Sequence, residues 1–382
     1  MISAITLASK GLGETSPNPC VGCVIVDKHG TVVGQGYHHK AGQPHAEVLA
    51  LKEAGDKAKG STAYVSLEPC NHYGRTPPCT LALINHGIAR VVVGMVDPDP
   101  RVSGAGVTYL KDQGISVDVG VERERCESLN RPFIHRVLKK KPLSVVWACL
   151  RSSSSSSSSL GTISDVIDDA SDCLSSSTRR IDIVASRLAS ISPEVDSIVV
   201  HVDDFVGLPA HVIDGLPAHV SIIILGMDCS SDACIKAADR IYAEDDVKTR
   251  KWYLFVEKDN DITSARDNVM FMAIASTRVS GSYFTRLISG DMLQKIASLG
   301  SNAILLVANS LDELKELKTN NALQKLVLSS ADSSAGPEGD SLWHTMAKSV
   351  VRSLDSVDDT NESLEKTNDS SFGYIYNFWG HR

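Results

Sequence analysis

A chain of 382 residues, 42% hydrophobic and 22% charged, is long enough to bury more than one core, so two domains are expected. The net charge of −8 is unevenly shared: residues 1–141 carry 17 Lys+Arg against 13 Asp+Glu, and the remainder carries 21 against 33. A mildly basic part joined to an acidic one lacks the clustered positive surface that holds a nucleic-acid backbone, and no apolar run approaches the roughly 18 residues of a membrane span.

The elements of the first part follow from periodicity. Residues 1–10 have no basic leader and read as an amphipathic helix, not a signal peptide. Val21, Cys23, Ile25 and Val26 form a strand, Lys28-His29-Gly30 turns the chain, and residues 32–37 return as its partner. A helix is expected over about 45–54, stopped by Gly55, then a buried strand over 63–67 that delivers Glu68-Pro69-Cys70 at its end. Residues 80–86 read as a helix, 90–96 as a strand, 106–113 as a helix and 115–121 as a strand. Strands alternating with helices predict an α/β sandwich.

Within that frame, Pro44-His45-Ala46-Glu47 and the segment from Glu68 to Cys79 carry the chemistry. One imidazole, His45, and two thiolates, Cys70 and Cys79, suit Zn2+ and leave a fourth tetrahedral position open to water, whose pKa a metal lowers towards neutrality. Glu47, two residues from His45, is then the proton shuttle. Any one of these residues alone would mean packing; together they spell a zinc deaminase. The alternative is a closed structural site with His72 as fourth ligand. Both metal-bearing segments fall at expected helix N-termini, where exposed N–H groups favour thiolate. Cys20 and Cys23 have C-x-x-C spacing, but strand alternation places them on a β-segment, which speaks against a redox or second metal role.

Eight residues, Asn71 to Pro78, separate the two cysteines, where nucleic-acid and nucleoside deaminases typically place two. That loop, together with Thr15-Ser16-Pro17-Asn18-Pro19, Gly36-Tyr37-His38, Ala41-Gly42-Gln43-Pro44-His45-Ala46-Glu47 and Asp97-Pro98-Asp99-Pro100, resembles the deaminase domain of the bifunctional riboflavin-biosynthesis deaminase/reductase family over about residues 1–150. Val93-Gly94-Met95-Val96-Asp97-Pro98 is most similar to the plant version, in which the two activities reside in separate proteins.

The resemblance implies a cytidine-deaminase-like α/β/α sandwich over residues 1–143, followed over 144–354 by a degenerate dihydrofolate-reductase-like α/β domain. It implies a small phosphorylated substrate, 2,5-diamino-6-ribosylamino-4(3H)-pyrimidinone 5′-phosphate, deaminated at C2 with release of ammonia. Asn18, His38, His72 and Arg75 would face that substrate, Arg75 being suited to the ribose phosphate. Read without the family, Asn18 between two prolines could equally be a turn residue. Glu68 either supports a ligand or bonds backbone, with support the preferred reading. Family members pair through both domains, which leaves a homodimer open; no nucleic acid or membrane is expected as a partner.

The second part departs from the family. A strand over 143–150 precedes eight consecutive serines, Ser152 to Ser159, where an intact reductase has a substrate-binding segment. Gly207-Leu208-Pro209-Ala210-His211-Val212 recurs as Gly215-Leu216-Pro217-Ala218-His219-Val220, a duplication that looks like slippage in a loop. Residues 175–180 leading into Asp196-Ser197-Ile198-Val199-Val200, and Ala303-Ile304-Leu305-Leu306-Val307, faintly resemble reductase segments. His201-Val202-Asp203-Asp204 and Ala308-Asn309-Ser310 stand where glycines would admit a dinucleotide's phosphates, so no nicotinamide cofactor site and no reductase activity are expected.

A helix is expected over 342–354, and residues 355–382 as a disordered tail with an aromatic end from Phe372 to Trp379. Nine cysteines without a framework fit a reducing compartment: a plastid if the chain is plant-derived, with its transit peptide missing, otherwise the cytoplasm. Besides a monofunctional deaminase, a bifunctional deaminase/NADPH reductase and a non-catalytic scaffold for riboflavin enzymes remain as alternatives.

Overall fold

A computed structural model describes residues 1–74, 77–100, 102–150, 193–207, 213–226, 231–243, 250–257, 269–274, 287, 292–308, 311–330, 347, 350–351, 354, 364–366 and 373–377. The chain divides into two units. One comprises Met1–Pro142 with Ile296–Asn302, the other Leu143–Lys295 with Ala303–Arg382.

The first unit is a five-stranded sheet in the order β2-β1-β3-β4-β5, with β1 Gly22–Val26, β2 Val32–Tyr37, β3 Thr62–Leu67, β4 Arg90–Met95 and β5 Ser116–Val119. β1 runs antiparallel to β2 and β3, whereas β3, β4 and β5 run parallel. Alternation along the strands gives the sheet two apolar faces. One face carries Cys23, Ile25, Ala63, Val65, Val91 and Val93 against α2 (Ala46–Ala54), α3 (Cys79–Asn85) and α4 (Ala105–Asp112). On the other, Gly22 and Gly94 let α1 (Ile2–Ala8) and α5 (Arg123–Leu129) approach at Ala4 and Cys126, with α6 (Arg131–Lys139) following, and at the strand ends Leu67 and Met95 gather with Cys126, Met1, Ile5 and Ile134. The result is the expected α/β/α sandwich.

The expected elements fall within a residue or two of their places, and Gly55 ends α2 with a φ of 52°. The sequence reading omitted α5 and α6. Asn130, buried between them, ties them to the sheet: its Oδ1 accepts from the Cys20 backbone N–H at 2.8 Å, and its Nδ2 donates to the Cys20 carbonyl at 2.9 Å. Helix α2 lies unusually close to β2 because Gly34 and Gly36 have no side chain. A Cβ at Gly36 would stand 2.7 Å from the Ala46 carbonyl, so this close approach seats the first turn of α2 on the sheet.

In the second unit, nine strands form one sheet in the order β10-β9-β8-β7-β11-β6-β12-β14-β13. They are β6 Leu143–Leu150, β7 Ser197–His201, β8 Ser221–Gly226, β9 Trp252–Glu257, β10 Val269–Ile274, β11 Ala303–Ala308, β12 Lys325–Ser330, β13 Leu364–Lys366 and β14 Gly373–Asn377. The pairs from β10 to β12 are parallel, and their near-continuous apolar runs are those of strands covered on both faces.

One expectation needs correcting here. The tail beyond residue 355 is not wholly without structure: β14 pairs antiparallel with β12, and β13 pairs with β14. The second copy of the hexapeptide lies in a loop, as expected. Its carbonyls surround the buried guanidinium of Arg250, which donates to Pro217 at 3.0 Å, Val220 at 2.6 Å and Leu216 at 2.9 Å. Of the expected helix over 342–354, positions 347, 350, 351 and 354 are helical, with Ala347, Val350 and Val351 fully buried. The polyserine run, residues 175–180, most of the first hexapeptide and Arg75 lie outside the described residues.

Candidate metal centre and active site

Three segments converge at the carboxyl end of β3. His45 is the N-cap of α2, in extended conformation with φ −73° and ψ 162°; Cys70 follows β3 by three residues; Cys79 opens α3. Their ligand atoms lie within 4.8 Å of one another, with His45 Nδ1 at 3.2 Å from Cys79 Sγ and 3.6 Å from Cys70 Sγ. A tetrahedral Zn2+ with Zn–S of about 2.3 Å and Zn–N of about 2.0–2.1 Å separates N from S by about 3.6 Å, so both the donor set and its spacing fit the ion.

The loop between the cysteines is closed at its base. The Thr80 backbone N–H donates to the Cys70 carbonyl at 3.2 Å, and the Thr80 hydroxyl to Asn71 Oδ1 at 2.8 Å. The Cys79 backbone N–H points at Cys70 Sγ at 3.4 Å, a donor that favours thiolate. Hydrogen bonding from Cys79, then from His45, holds the Cys70 thiol well below its usual range; the same shared proton, with burial, pushes Cys79 up. His45 is raised, chiefly by its bond to Cys70.

Glu47, in the first turn of α2, is 3% exposed, and burial, reinforced by the Cys70 charge, pushes its carboxyl up to about 7. A carboxyl with that affinity both takes and gives a proton near neutral pH.

The residues expected around the substrate divide. Asn18 lies in a turn, its backbone N–H donating to the Thr15 carbonyl at 2.8 Å, and its Nδ2 is 3.0 Å from His38 Nε2. His38, expected to face the substrate, is 3% exposed, with Nδ1 lying 3.2 Å from the Pro44 carbonyl. Its ring meets that of His45 edge to face at 5.3 Å, and burial lowers its pKa. His72 is exposed on the inter-cysteine loop, beside Tyr73 at 76% exposure, and contributes to the electrostatics of Asp97, whose carboxyl burial pushes up.

Glu68 resolves towards backbone bonding. Its buried carboxylate accepts four backbone N–H groups: Asp97 at 3.1 Å and Gly104 at 3.0 Å on Oε2, Gly106 at 2.8 Å and Val107 at 3.2 Å on Oε1. It thereby fastens the loop after β4 and the first turn of α4 to the strand end that carries Cys70. A Cβ at Gly106 would stand 2.2 Å from the Pro69 carbonyl, which measures how closely α4 backs this segment. Cys20 and Cys23 are both buried, and burial raises both thiols, the environment of inert packing cysteines.

Residues 1–95 match the family described as the cytidine and deoxycytidylate deaminase zinc-binding region. Over 137 residues the chain is 52% identical to "Diaminohydroxyphosphoribosylamino-pyrimidine deaminase" from Buchnera aphidicola subsp. Schizaphis graminum, covering 36% of this chain and 92% of that protein. The chain belongs to this deaminase family. Its zinc-binding region is that of the deaminases. It is also 62% identical over 142 residues to "Riboflavin biosynthesis protein PYRD, chloroplastic" from Arabidopsis thaliana, covering 37% of this chain but 33% of the relative, so the match spans about a third of that protein's length. Across 98% of the chain and 97% of the other, the fold is that of Acinetobacter baumannii RibD, form 1, with a TM-score of 0.61 at 24% identity. This deaminase-family chain thus carries the RibD fold in both of its units.

Proposed function

We propose that the chain hydrolyses the 2-amino group of 2,5-diamino-6-ribosylamino-4(3H)-pyrimidinone 5′-phosphate, consuming one water and releasing ammonia and 5-amino-6-ribosylamino-uracil 5′-phosphate, a step of riboflavin biosynthesis. The observation that carries this reading is the convergence of His45, Cys70 and Cys79 beside the buried carboxyl of Glu47. The 52% identity to a named deaminase along nearly all of that relative's length supports the substrate.

His45, Cys70 and Cys79 would hold Zn2+, which when bound would supply Lewis acidity and lower the pKa of water towards neutrality. Glu47 accepts the proton that the attacking water loses and delivers it to the departing amine at C2, a role for which its place in the first turn of α2, two residues from His45, suits it. Burial of Glu47 excludes competing water from its oxygens. Asn18, His38, His72 and Arg75 face the substrate, Arg75 meeting the ribose phosphate. The test is ammonia release from this substrate by the purified zinc-loaded chain; metal-loaded protein that releases none sinks the proposal.

The same reading assigns no reductase activity to the second unit. β7 ends at His201 and a helix starts at Val202, so no glycine-bearing turn follows Val200 to admit a dinucleotide's phosphates. NADPH oxidation on adding the deaminated product would overturn this. The plastid is the proposed compartment, after the chloroplastic naming of the Arabidopsis relative, and a homodimer is the proposed assembly, checked by light scattering.

A further inference from the structure

The segment of residues 15–20, which presents Asn18, is gripped at both ends by one helix. Asn130, the N-cap of α6, holds the Cys20 backbone with both atoms of its amide. About two turns along the same helix, Arg136 reaches the tip of the loop, where its Nη2 donates to the Pro17 carbonyl at 2.7 Å. Pro17 also lies against Gly300: a Cβ there would stand 3.2 Å from the Pro17 Cβ, and a φ of 100° favours glycine in its own right.

Asn302 closes the arrangement. It belongs to Ile296–Asn302, a stretch of the first unit that follows Pro142 in the chain by about 150 residues, and it is 5% exposed. A guanidinium only donates, so the amide atom that meets Arg136 Nε is Oδ1. The NH2 is thereby turned to two acceptors on the loop, Ser16 Oγ at 3.0 Å and the Asn18 carbonyl at 3.4 Å. Between them, Arg136 and Asn302 hold an oxygen of each of three successive residues, Ser16, Pro17 and Asn18. The members of this circuit come from three stretches of sequence that have no local reason to meet.

Resting on the reading of the site as a pyrimidine deaminase in which Asn18 faces the substrate, we propose that Asn302 and Arg136 are positioning residues of that site. They fix the backbone of residues 16–18 and hence the point from which the Asn18 side chain extends. A loop carries function only as accurately as its supports hold it. The deaminase unit of this chain is therefore completed from far downstream, which gives the later part of the sequence a use that has nothing to do with reduction.

The test uses the full zinc-loaded chain, with KM and kcat for ammonia release measured separately. Asn302→Ala removes the bonds to the loop. Asn302→Asp keeps the acceptor for Arg136 but turns an oxygen towards the Asn18 carbonyl. Both should raise KM about tenfold, with kcat within about threefold and zinc content unchanged. Arg136→Met, which keeps an apolar stem beside Phe133, is the milder variant should the buried site not tolerate change, and several-fold in KM is expected of it. In an Asn18→Ala background, Asn302→Ala should add less than about twofold, because its effect passes through Asn18. Unchanged KM in the folded variants, or effects that multiply in full in the double variant, would overturn the assignment.

Hydrogen exchange reads the clamp without substrate. In Asn302→Ala and in Arg136→Met, peptides covering residues 12–20 should exchange about tenfold faster while those covering α2 keep the wild-type rate. Equal rates over 12–20, or acceleration everywhere alike, overturn the clamp whether or not the chain releases ammonia. A wild-type chain that releases none, while its Asn302→Ala variant loosens this loop alone, overturns the functional reading and leaves the clamp standing.

Discussion

Replacing Glu68 by glutamine keeps the shape of the side chain and removes its charge, and the four amides around it make the cost calculable. Whichever way the new amide turns, its NH2 must face one pair of backbone donors. The pair at Asp97 and Gly104 is part-exposed and can take water, whereas Gly106 and Val107 are buried and cannot, so the oxygen will stay on the buried pair. Two bonds to the buried pair then weaken from charge-assisted to neutral, at about 1 kcal/mol each, and two bonds to the exposed pair are exchanged for water at a few tenths each. The sum is a local destabilisation of about 2–3 kcal/mol, or roughly 30- to 150-fold faster exchange of the Gly106 and Val107 amides. Hydrogen exchange on peptides covering 104–112 reads this directly, and Glu68→Ala, which strips all four partners, should be worse. Exchange in Glu68→Gln within about threefold of wild type would refute the view that this carboxylate anchors α4 to the strand end.

Glu47→Gln should retain stoichiometric zinc yet lower ammonia release by about 10²–10⁴, since it keeps the side chain's shape and loses its proton affinity; metal analysis and a coupled ammonia assay check both halves. Chelation should abolish turnover and added Zn2+ restore it, with two free thiols becoming titratable at Cys70 and Cys79 in the chelated chain. In the second unit, Arg250→Leu leaves the carbonyls of Pro217, Val220 and Leu216 without their buried donor, an expected loss of about 3 kcal/mol seen as a melting transition roughly 6–12 °C lower.

Much of the first unit was legible because its signals are local. Alternating residues from Val21 to Tyr37 and the Gly30 and Gly55 stops mark strand and helix ends without reference to the rest of the chain. His45, Glu47, Cys70 and Cys79 were legible as a set because few other combinations of residue types at those separations have a chemical reason to exist. The parts that were missed are long-range. Four-amide capture by Glu68 depends on a loop some thirty residues downstream. Inward rotation of His38 depends on Pro44 and Asn18, neither of which announces itself as a partner. Helices α5 and α6 begin after Glu122 and Asn130, and the charged run from Glu122 to Glu127 hides the buried Cys126 that fixes the first of them. In the tail, Tyr374, Ile375 and Tyr376 are good strand formers, but their pairing partner β12 lies some fifty residues earlier, beyond reach of any window.

The pairing of β14 on β12 has a practical corollary for anyone trimming this protein. Ending the chain near residue 354, as the polar composition beyond it invites, would strip the cover from a strand whose Leu326, Val327 and Leu328 are all buried. What remained would be a naked ladder of amides and carbonyls on an apolar ribbon, ready to zip onto its own kind and precipitate.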